Sequence, residues 1–168
     1  MAYAQHLQDA APLVAKCAIV TLSDTRTEST DKSGRRLREL LEGDGHRLVH
    51  YQLIPDEPGP LGELLTALLA RSDVDVVLTN GGTGISRRDR TIEVVQRQLE
   101  QPLPGFGELF RMLSWEQIGS GAMLSRAVGG IARDKLLFAM PGSTAAVELA
   151  MTKLVLPELR HLLHELRK

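Results

Sequence analysis

The sequence predicts an α/β layer architecture built as one domain, and three observations favour it. Apolar segments typical of strands alternate along the chain with segments of helical periodicity, which favours layered α/β packing over a helix bundle or a β-sandwich. The chain of 168 residues is long enough to bury a sizeable core without disulfides or metals. Two late apolar segments are joined by only a few polar residues, so we expect a hairpin and one antiparallel strand in a mostly parallel sheet.

The first half of the chain is predicted to supply three strands and two helices. Leucines recur at helical spacing after Ser33, and Gly43 and Gly45 supply the end of that helix. The β-branched run that ends at Thr79 is typical of a strand buried on both faces. The predicted strands are 18–22, 46–54 and 74–79, and the predicted helices are 33–41 and 61–69.

The second half is predicted to supply two more strands and three helical regions. Pro102 and Pro104 break the chain between the first two of these helices. Pro157 is expected to divide the last helical region, because proline lacks the amide that a helix interior needs. The predicted helical regions are 91–99, 106–118 and 143–168, and the predicted strands are 125–131 and 136–140, joined across residues 132–135.

The composition argues against several classes of protein. The net charge is −1 at pH 7, so no global basic field favours nucleic acid as a partner. The single Cys17 lies in an apolar run, which predicts a buried, unreactive thiol and a reducing compartment. No segment resembles a signal peptide or a membrane span. We therefore expect a cytoplasmic protein, with a flexible arm at residues 1–15 and one domain at residues 16–168.

The most informative motif is the glycine turn that follows the third predicted strand. It reads Asn80-Gly81-Gly82-Thr83-Gly84 and leads through Arg87, Arg88, Asp89 and Arg90 into a helix. Glycine amides can approach a ligand closely and a helix N-terminus favours anions, so we expect an anion site here. The motif is neither a P-loop nor the GxGxxG fingerprint. The alternative is a plain strand-to-helix turn with Asp89 or Thr91 as the N-cap and the arginines in solvent.

Other predicted strands also end in polar or glycine-rich residues. Ser23 and Asp24 follow the first strand, Asp56 follows the second, and Pro141, Gly142 and Ser143 follow the last. Because the carboxyl ends of parallel strands border the ligand crevice of an open α/β sheet, we expect these segments to meet. Ser143 is also suited to cap the final helical region, and the two roles are compatible.

Asp56 and Asp89 form a candidate magnesium site. Two carboxylates can help hold Mg²⁺ while water and phosphate oxygens fill its remaining positions. The alternative is that Asp56 forms a turn beside Pro55 and that Asp89 caps a helix. His161 and His164 lie in a leucine-rich segment without other ligands at metal-binding spacing, so we expect them in packing rather than at a metal.

A further motif, Pro104-Gly105-Phe106-Gly107-Glu108, follows the glycine turn. Taken with Asp56, Arg88, Asp89 and Thr91, it makes the chain resemble the MoaB/MogA family of molybdenum cofactor biosynthesis proteins over about residues 17–159. Segments 110–114, 125–128 and 138–143 resemble MoaB more than MogA. Ser143 departs from the adenylating branch, which usually carries Asn or Gln at that place.

This resemblance implies a three-layer α/β/α sandwich that assembles as a trimer or as a dimer of trimers. It further implies other molybdenum cofactor biosynthesis proteins as possible binding partners. It also implies that the protein binds molybdopterin and transfers AMP from Mg-ATP to the terminal phosphate of the pterin. Asp56 and Asp89 would be the catalytic carboxylates and would hold magnesium. The implied substrate-binding residues are Ser23, Asp24, Asn80, Gly81, Gly82, Thr83, Gly84, Arg88, Pro141, Gly142 and Ser143.

Two other functions remain open from the sequence. Some MoaB proteins share the fold without adenylating molybdopterin, so one alternative is a non-catalytic oligomer that holds the pterin. The presence of Asp56 and of segment 87–89 favours the active form. The second alternative is a nucleotide pyrophosphatase, because the amino-terminal domain of CinA proteins resembles this fold. Segments 110–114 and 125–128 argue against it.

Overall fold

The computed structural model describes residues 2–168, apart from the side chains of Ala2 and His6. The strands are β1 (Lys16–Leu22), β2 (Arg47–Ile54), β3 (Val76–Asn80), β4 (Gln101–Pro102), β5 (Val128–Ala132) and β6 (Lys135–Met140). The helices are α1 (Ala2–Ala10), α2 (Lys32–Gly43), α3 (Pro58–Ala70), α4 (Thr91–Gln98), α5 (Pro104–Ile118), α6 (Thr144–Ala150) and α7 (Leu156–Leu166). A 3₁₀ turn (Gly119–Leu124) and a π-helical turn (Met151–Val155) complete the described part. No helix within it is both long enough and apolar enough for a membrane crossing.

The strands form one mixed sheet in the order β2-β1-β3-β6-β5-β4. The first four strands in this order are mutually parallel, whereas β5 runs antiparallel to β6 and β4 runs antiparallel to β5. This arrangement confirms the predicted α/β fold with a mostly parallel sheet. The two-residue strand β4 was not predicted. It lies at the edge of the sheet, where Pro102 is tolerated because the backbone on the outer side has no neighbouring strand to which it must donate.

The hairpin between β5 and β6 is tighter than the sequence predicts. Its turn consists of Arg133 and Asp134, whose φ angles are +47° and +57°. Two positive φ values are what a two-residue type I′ turn requires. Strand β5 begins at Val128 rather than at residue 125. Ser125 and Arg126 therefore lie in a loop, from which they can contact other elements.

Alternate side chains of the sheet face two separate cores, which produces the three layers. Ile19 and Leu78 face one core, and Val20 and Val77 face the other. Helices α2, α5, α6 and α7 contribute to the first core, while α3 and α4 contribute to the second. Each face of the sheet is therefore covered, and the carboxyl edge of the parallel strands is left open to a ligand.

The amino terminus differs from the flexible arm that the sequence analysis expects over residues 1–15. Residues Ala2–Ala10 form helix α1, which contacts α7. Ala10 is buried, and the ring of Tyr3 makes an edge contact with His161. The segment contains three alanines and two glutamines, which favour helix, and a packed apolar face stabilises a short helix that would not persist alone. Met1 lies outside the described residues.

Pro157 marks the division of the last helical region, as predicted, but no loop separates its two parts. Pro157, which has no amide hydrogen to donate, lies in the first turn of α7, directly after the π-helical turn. The preceding π-helical turn ends with the amide of Leu156 bonded to the carbonyl of Met151. The wider turn accommodates the proline, so α6 and α7 remain connected by helical backbone.

Cys17 is buried, as predicted, and it is a free thiol. Burial, together with the negative charge of Asp75, raises the pKa of the Cys17 thiol to about 12. A thiol with so high a pKa stays protonated at neutral pH and is a poor nucleophile.

Candidate functional site

Four parallel strands end at one edge of the sheet, and the segments that follow them meet there. The amide of Ser23 donates to the carbonyl of Ile54 at 3.0 Å, and the amide of Gly81 donates to the carbonyl of Met140 at 3.1 Å. These bonds join the ends of β1 and β2, and of β3 and β6. The predicted convergence of strand ends is therefore present. The segments brought together are Ser23-Asp24, Asp56, Gly81 to Gly84, and Pro141 to Ser143.

The glycine turn is packed so closely that side chains would not fit at several positions. Gly81 has a φ of +98°, and a Cβ atom there would lie 2.3 Å from the carbonyl oxygen of Leu22. At Gly84 a Cβ atom would lie 2.6 Å from Oδ2 of Asp89. At Gly142 it would lie 3.0 Å from the Cα atom of Gly81. Glycine at these positions lets backbone from three segments approach one point.

Three consecutive amides of this turn are free to bind a ligand. The backbone N–H groups of Gly82, Thr83 and Gly84 donate to no acceptor among residues 2–168. Successive unpartnered amides form a concave surface that suits an anion such as phosphate. The anion site that the sequence predicts at this turn thus has donors available for it.

The start of α4 departs from both capping alternatives considered from the sequence. The N-cap residue is Arg90, and no side chain caps the helix. Asp89 instead accepts a hydrogen bond from the amide of Ser86 at 2.8 Å, which closes the loop before the helix. The amide of Thr91 donates to the carbonyl of Gly82 at 3.1 Å. Asp89 and Thr91 are therefore fixed beside the glycine turn rather than used as caps.

The Thr91 hydroxyl is a buried polar group without a partner. Thr91 is 1% exposed, and its Oγ1 atom has no hydrogen bond with any described residue. A Cβ atom on Gly82 would lie 2.3 Å from this oxygen and 2.4 Å from Oδ1 of Asp56, so both oxygens face the same point. A buried hydroxyl without a partner is costly, and a ligand at this point would supply one.

Asp56 is the carboxylate with the most perturbed environment at this edge. Burial raises the pKa of Asp56 above its ordinary value, and the negative charges of Asp89 and Asp24 raise it further, while Arg88 opposes them. Asp24 accepts a hydrogen bond from the Asp56 amide at 3.1 Å and pairs with Arg88 at 3.1 Å. Mutual repulsion of carboxylates is relieved when a cation binds between them.

The described residues contain no group of three or more histidine, cysteine or acidic side chains arranged to hold a metal ion. A metal at this edge would therefore take two protein carboxylates, those of Asp56 and Asp89, and complete its shell with water and ligand oxygens. Magnesium commonly binds in this way when phosphates are present. The residues fit such an ion, because Asp56 lies in a negative environment beside the unpartnered Thr91 oxygen.

Arg126 holds the glycine loop in place and was not among the predicted site residues. Its guanidinium donates to the carbonyls of Thr83, Gly84 and Asp89 at 3.0, 2.8 and 3.0 Å. It also pairs with Glu93 at 2.7 Å. The arginine comes from the loop before β5, so sequence order gives no sign that it reaches this turn. One cation thereby fixes the loop and the first turn of α4.

Asn80 supports the site from inside the protein. Its side chain is buried, donates to Oγ1 of Thr21 at 2.9 Å and accepts from the hydroxyl of Ser33 at 2.7 Å. Resemblance implies that Asn80 binds substrate, but its amide group is engaged by β1 and the start of α2. The residue therefore ties three elements together directly beneath the glycine turn.

Asp31 completes this buried network as the N-cap of α2. Burial opposes ionisation of Asp31, but hydrogen bonds from Thr21, Gly34 and Tyr51, with a longer one from the Ser33 hydroxyl that is shared with Asn80, outweigh it and hold the pKa of Asp31 below its ordinary value. A carboxylate that accepts several hydrogen bonds remains charged even when buried.

Arg26 and Ser143 order the turn that follows β6. Arg26 donates to the carbonyl of Gly142 at 2.9 Å and to the hydroxyl of Ser33 at 2.7 Å. The Ser143 hydroxyl accepts from the amide of Ala146 at 3.1 Å, so Ser143 caps α6 as predicted. Ser143 is nevertheless exposed at the site edge, which leaves its hydroxyl within reach of a ligand.

A cleft of about 390 Å³ opens next to Asp56. Its size falls within the range usual for small-molecule sites. It is lined by Asp56, Glu57, Pro58, Arg87, Arg88, Arg90, Glu93, Val94 and Arg97. The cleft extends the site from Asp56 along α4 toward solvent.

Comparisons with known proteins agree with the fold and the motifs. A protein-family profile described as a probable molybdopterin binding domain matches residues 18–161. Molybdenum cofactor biosynthesis protein B of Bacillus cereus is 53% identical over 169 residues, covering 100% of this chain and 99% of the relative.

Solved structures place the chain in the same group. A crystal structure of Molybdenum cofactor biosynthesis protein B superimposes with a TM-score of 0.91 at 55% identity, covering 93% of this chain and 98% of that chain. The tungsten cofactor synthesizing protein MoaB from Pyrococcus furiosus gives a TM-score of 0.84 at 35% identity, covering 94% and 99% of the two chains. With the glycine turn, Asp56 and Asp89 at one sheet edge, the chain belongs to the MoaB/MogA family of molybdenum cofactor biosynthesis proteins, close to its MoaB members.

Proposed function

We propose that this chain binds molybdopterin and transfers AMP from Mg-ATP to the terminal phosphate of the pterin. The observation that carries the proposal is the position of Asp56, whose carboxylate lies among like charges beside a turn of free amides. Such an arrangement suits phosphates that arrive together with a cation. The family profile and the names of the relatives supply the pterin as the phosphate-bearing ligand.

The reaction needs no covalent intermediate on the protein. An oxygen of the terminal phosphate of molybdopterin attacks the α-phosphorus of ATP, and a new P–O bond forms. The bond from that phosphorus to the oxygen that bridges to the β-phosphorus breaks, and the electron pair leaves with diphosphate. Reactions of this kind depend mostly on positioning and on charge stabilisation.

The residues of the chain divide this work between them. The amides of Gly82, Thr83 and Gly84 hold phosphate oxygens in a fixed geometry, because Arg126 fixes the loop. The start of α4 contributes a partial positive charge at the same place. Arg88 restrains Asp24 and faces Asp56 with a compensating charge.

Asp56 and Asp89 would hold magnesium in this site. A magnesium ion there supplies charge neutralisation for the phosphates that the amides position. The unpartnered hydroxyl of Thr91 lies beside Asp56 and accepts or donates a hydrogen bond within the loaded site.

We further propose that the chain assembles as a homo-oligomer, a trimer or a dimer of trimers. Helix α5 and the following 3₁₀ turn expose large apolar side chains, including Met112, Trp115 and Met123, which are 55%, 61% and 79% exposed. A contiguous apolar surface of this kind is typical of a protein interface. Another copy of the chain is the partner that the resemblance implies.

One incubation tests the central proposal. Purified protein is mixed with molybdopterin and Mg-ATP, and the products are read by mass spectrometry. We expect an AMP adduct of molybdopterin together with diphosphate. If the protein binds molybdopterin but forms no adduct, the adenylyl-transfer proposal is rejected and the non-catalytic pterin-binding alternative replaces it.

A further inference from the structure

The cleft beside Asp56 carries more positive charge than binding of the pterin phosphate at the glycine turn requires. Arg87 and Arg90 enter it from the loop before α4 and from the helix N-cap, and Arg97 enters it from the last turn of α4. All three are exposed. They therefore present cations to a solvent-open channel that begins at the candidate carboxylate site.

These three arginines form no direct ion pair within residues 2–168, although Arg90 adds to the lowering of the Glu93 pKa that Arg126 mainly causes. The other charges near the cleft have direct ionic partners. Arg88 pairs with Asp24 at 3.1 Å, and Glu93 pairs with Arg126 at 2.7 Å. No ion pair includes Arg87, Arg90 or Arg97. Arginines that line one cleft without a direct ion pair give that cleft a positive potential, which attracts an anion.

The remaining acids of the cleft decide which kind of anion fits. Asp56 and Glu57 also line it, so the unpaired charges are three positive and two negative. A phosphate without a bound metal ion gains little electrostatic stabilisation from a set of charges that nearly cancel. When a divalent cation lies on Asp56, the same cleft becomes strongly positive and favours a polyanion that is itself a ligand of the metal.

We propose that Arg87, Arg90 and Arg97 form a subsite for the metal-bound diphosphate group, which is the β- and γ-phosphates of the nucleotide and then the leaving diphosphate. This inference rests on the proposed adenylyl transfer for its source of diphosphate. Arginine suits the task because its planar guanidinium can donate two hydrogen bonds to phosphate oxygens. The open end of the cleft lets the product depart toward solvent.

The test measures binding of inorganic diphosphate, with and without magnesium, by isothermal titration calorimetry. The variants are Arg90→Gln, Arg97→Gln and the double change, which remove the positive charge while they keep a polar side chain with the same Cβ–Cγ–Cδ stem. Arg47→Gln is the matched control, because Arg47 is exposed at the start of β2, at the opposite end of the parallel strands from the site. Molybdopterin affinity is measured in parallel for every variant.

We expect the parent and Arg47→Gln to bind diphosphate in a magnesium-dependent manner. Each single site variant should bind about tenfold more weakly, since a hydrogen bond to a charged group is lost. Molybdopterin affinity should not change. The subsite is rejected if the parent binds no diphosphate, if the double variant binds it as tightly as the parent, or if molybdopterin affinity falls equally.

The subsite and the proposed function can fail separately. A parent protein that binds Mg-diphosphate through Arg90 and Arg97 but forms no AMP adduct supports the subsite and rejects adenylyl transfer. A double variant that transfers AMP with the KM for ATP of the parent rejects the subsite and leaves adenylyl transfer standing.

Discussion

Oδ1 of Asp56 and Oγ1 of Thr91 face the same point in space, which is where a side chain on residue 82 would begin. A Cβ atom there would lie 2.4 Å from the first oxygen and 2.3 Å from the second. Asp56 follows β2, Thr91 begins α4, and Gly82 follows β3. Three separate elements therefore depend on the absence of one side chain.

A valine at position 82 should abolish molybdopterin binding. The Gly82→Val side chain would displace Asp56 and Thr91, and its φ of +64° is a conformation that a β-branched residue rarely adopts. Binding is measured by fluorescence or calorimetry on the purified variant. Gly43→Ala is the control, because a Cβ atom there meets nothing within 4 Å. A folded Gly82→Val protein with unchanged affinity would make the turn a purely structural feature.

Neutralising either proposed catalytic carboxylate should stop AMP transfer while the fold persists. Asp56→Asn and Asp89→Asn keep the side-chain volume and remove the charge that a metal requires. In Asp89→Asn the amide oxygen can still accept the hydrogen bond from Ser86. We expect both variants to bind molybdopterin and to form no AMP adduct by mass spectrometry. Transfer at the parent rate in both would contradict the proposed site.

Asp56→Asn should not lower the stability of the protein near neutral pH. The pKa of Asp56 is raised in the folded protein, so its ionised form is less favourable there than in the unfolded chain. That unfavourable contribution develops as the pH rises through the ordinary Asp value of 3.8. Asp56→Asn removes it, so the melting temperature at neutral pH should equal or exceed that of the parent. A marked fall in melting temperature would show that the carboxylate serves the fold.

Loss of Arg126 should loosen the site more than the protein as a whole. Arg126→Gln removes the charge that binds three loop carbonyls and Glu93. We expect weaker molybdopterin binding and faster hydrogen exchange at the bonded loop amides of Ser86, Asp89 and Thr91. Exchange elsewhere in the sheet should change little. Arg133→Gln is the control, because Arg133 lies in the exposed hairpin turn, and equal effects of the two changes would contradict this role.

Protonation of His46 should destabilise the protein as the pH falls. Burial, together with the charge of Arg160, holds the pKa of His46 below 6.5, although Asp44 opposes the shift. Its Nδ1 atom accepts a hydrogen bond from the amide of Ala15 at 3.1 Å, and a proton on that atom would break the bond.

The unfolded chain takes up the proton first, so stability is lost as the pH falls from about 6.5 toward the folded pKa. The free energy of unfolding from urea titrations, measured between about pH 7 and about pH 5.5, should decline in the parent and stay flatter in His46→Gln. An NMR titration of the His46 ring in the native protein provides a second measurement. A ring pKa at or above 6.5 would contradict the prediction.

A charge in the exposed apolar face of α5 should dissociate the proposed oligomer. Trp115→Glu places a carboxylate in that face, where burial against another copy would be costly. Light scattering should report a trimer or a hexamer for the parent and smaller species for the variant. Val14→Glu is the control, since Val14 is also exposed but lies outside this helix. A parent that is monomeric at micromolar concentration would reject the assembly.

Sequence periodicity predicts the parallel part of the fold well because buried strands and leucine-rich helices leave strong local patterns. Strands β1, β2, β3 and β6 agree with the predicted segments to within about two residues. The short edge strand β4 leaves no such pattern, since two residues cannot show a period. Helix α1 was missed because its stability comes from contact with α7, at the other end of the chain.

Some residues of the candidate site could be predicted from the sequence, and others could not. The glycine turn, Asp56 and Asp89 could be found because they directly follow strands of clear pattern. Arg126 could not be found, since its role depends on hydrogen bonds to residues about forty positions away. The resemblance implies that Asn80 binds substrate. Its burial and its side-chain bonds to Thr21 and Ser33 could not be predicted, because these partners come from other parts of the chain.

The hydrogen bonds from Arg126 to the glycine loop affect how the protein folds while it is being synthesised. The loop lies at the middle of the chain, but both the arginine that fixes it and the strand β6 beside β3 come from the last third. Contacts of large sequence separation form late in folding. A nascent chain that has not extended past Met140 therefore lacks the contacts that hold this loop and the end of β3 in place.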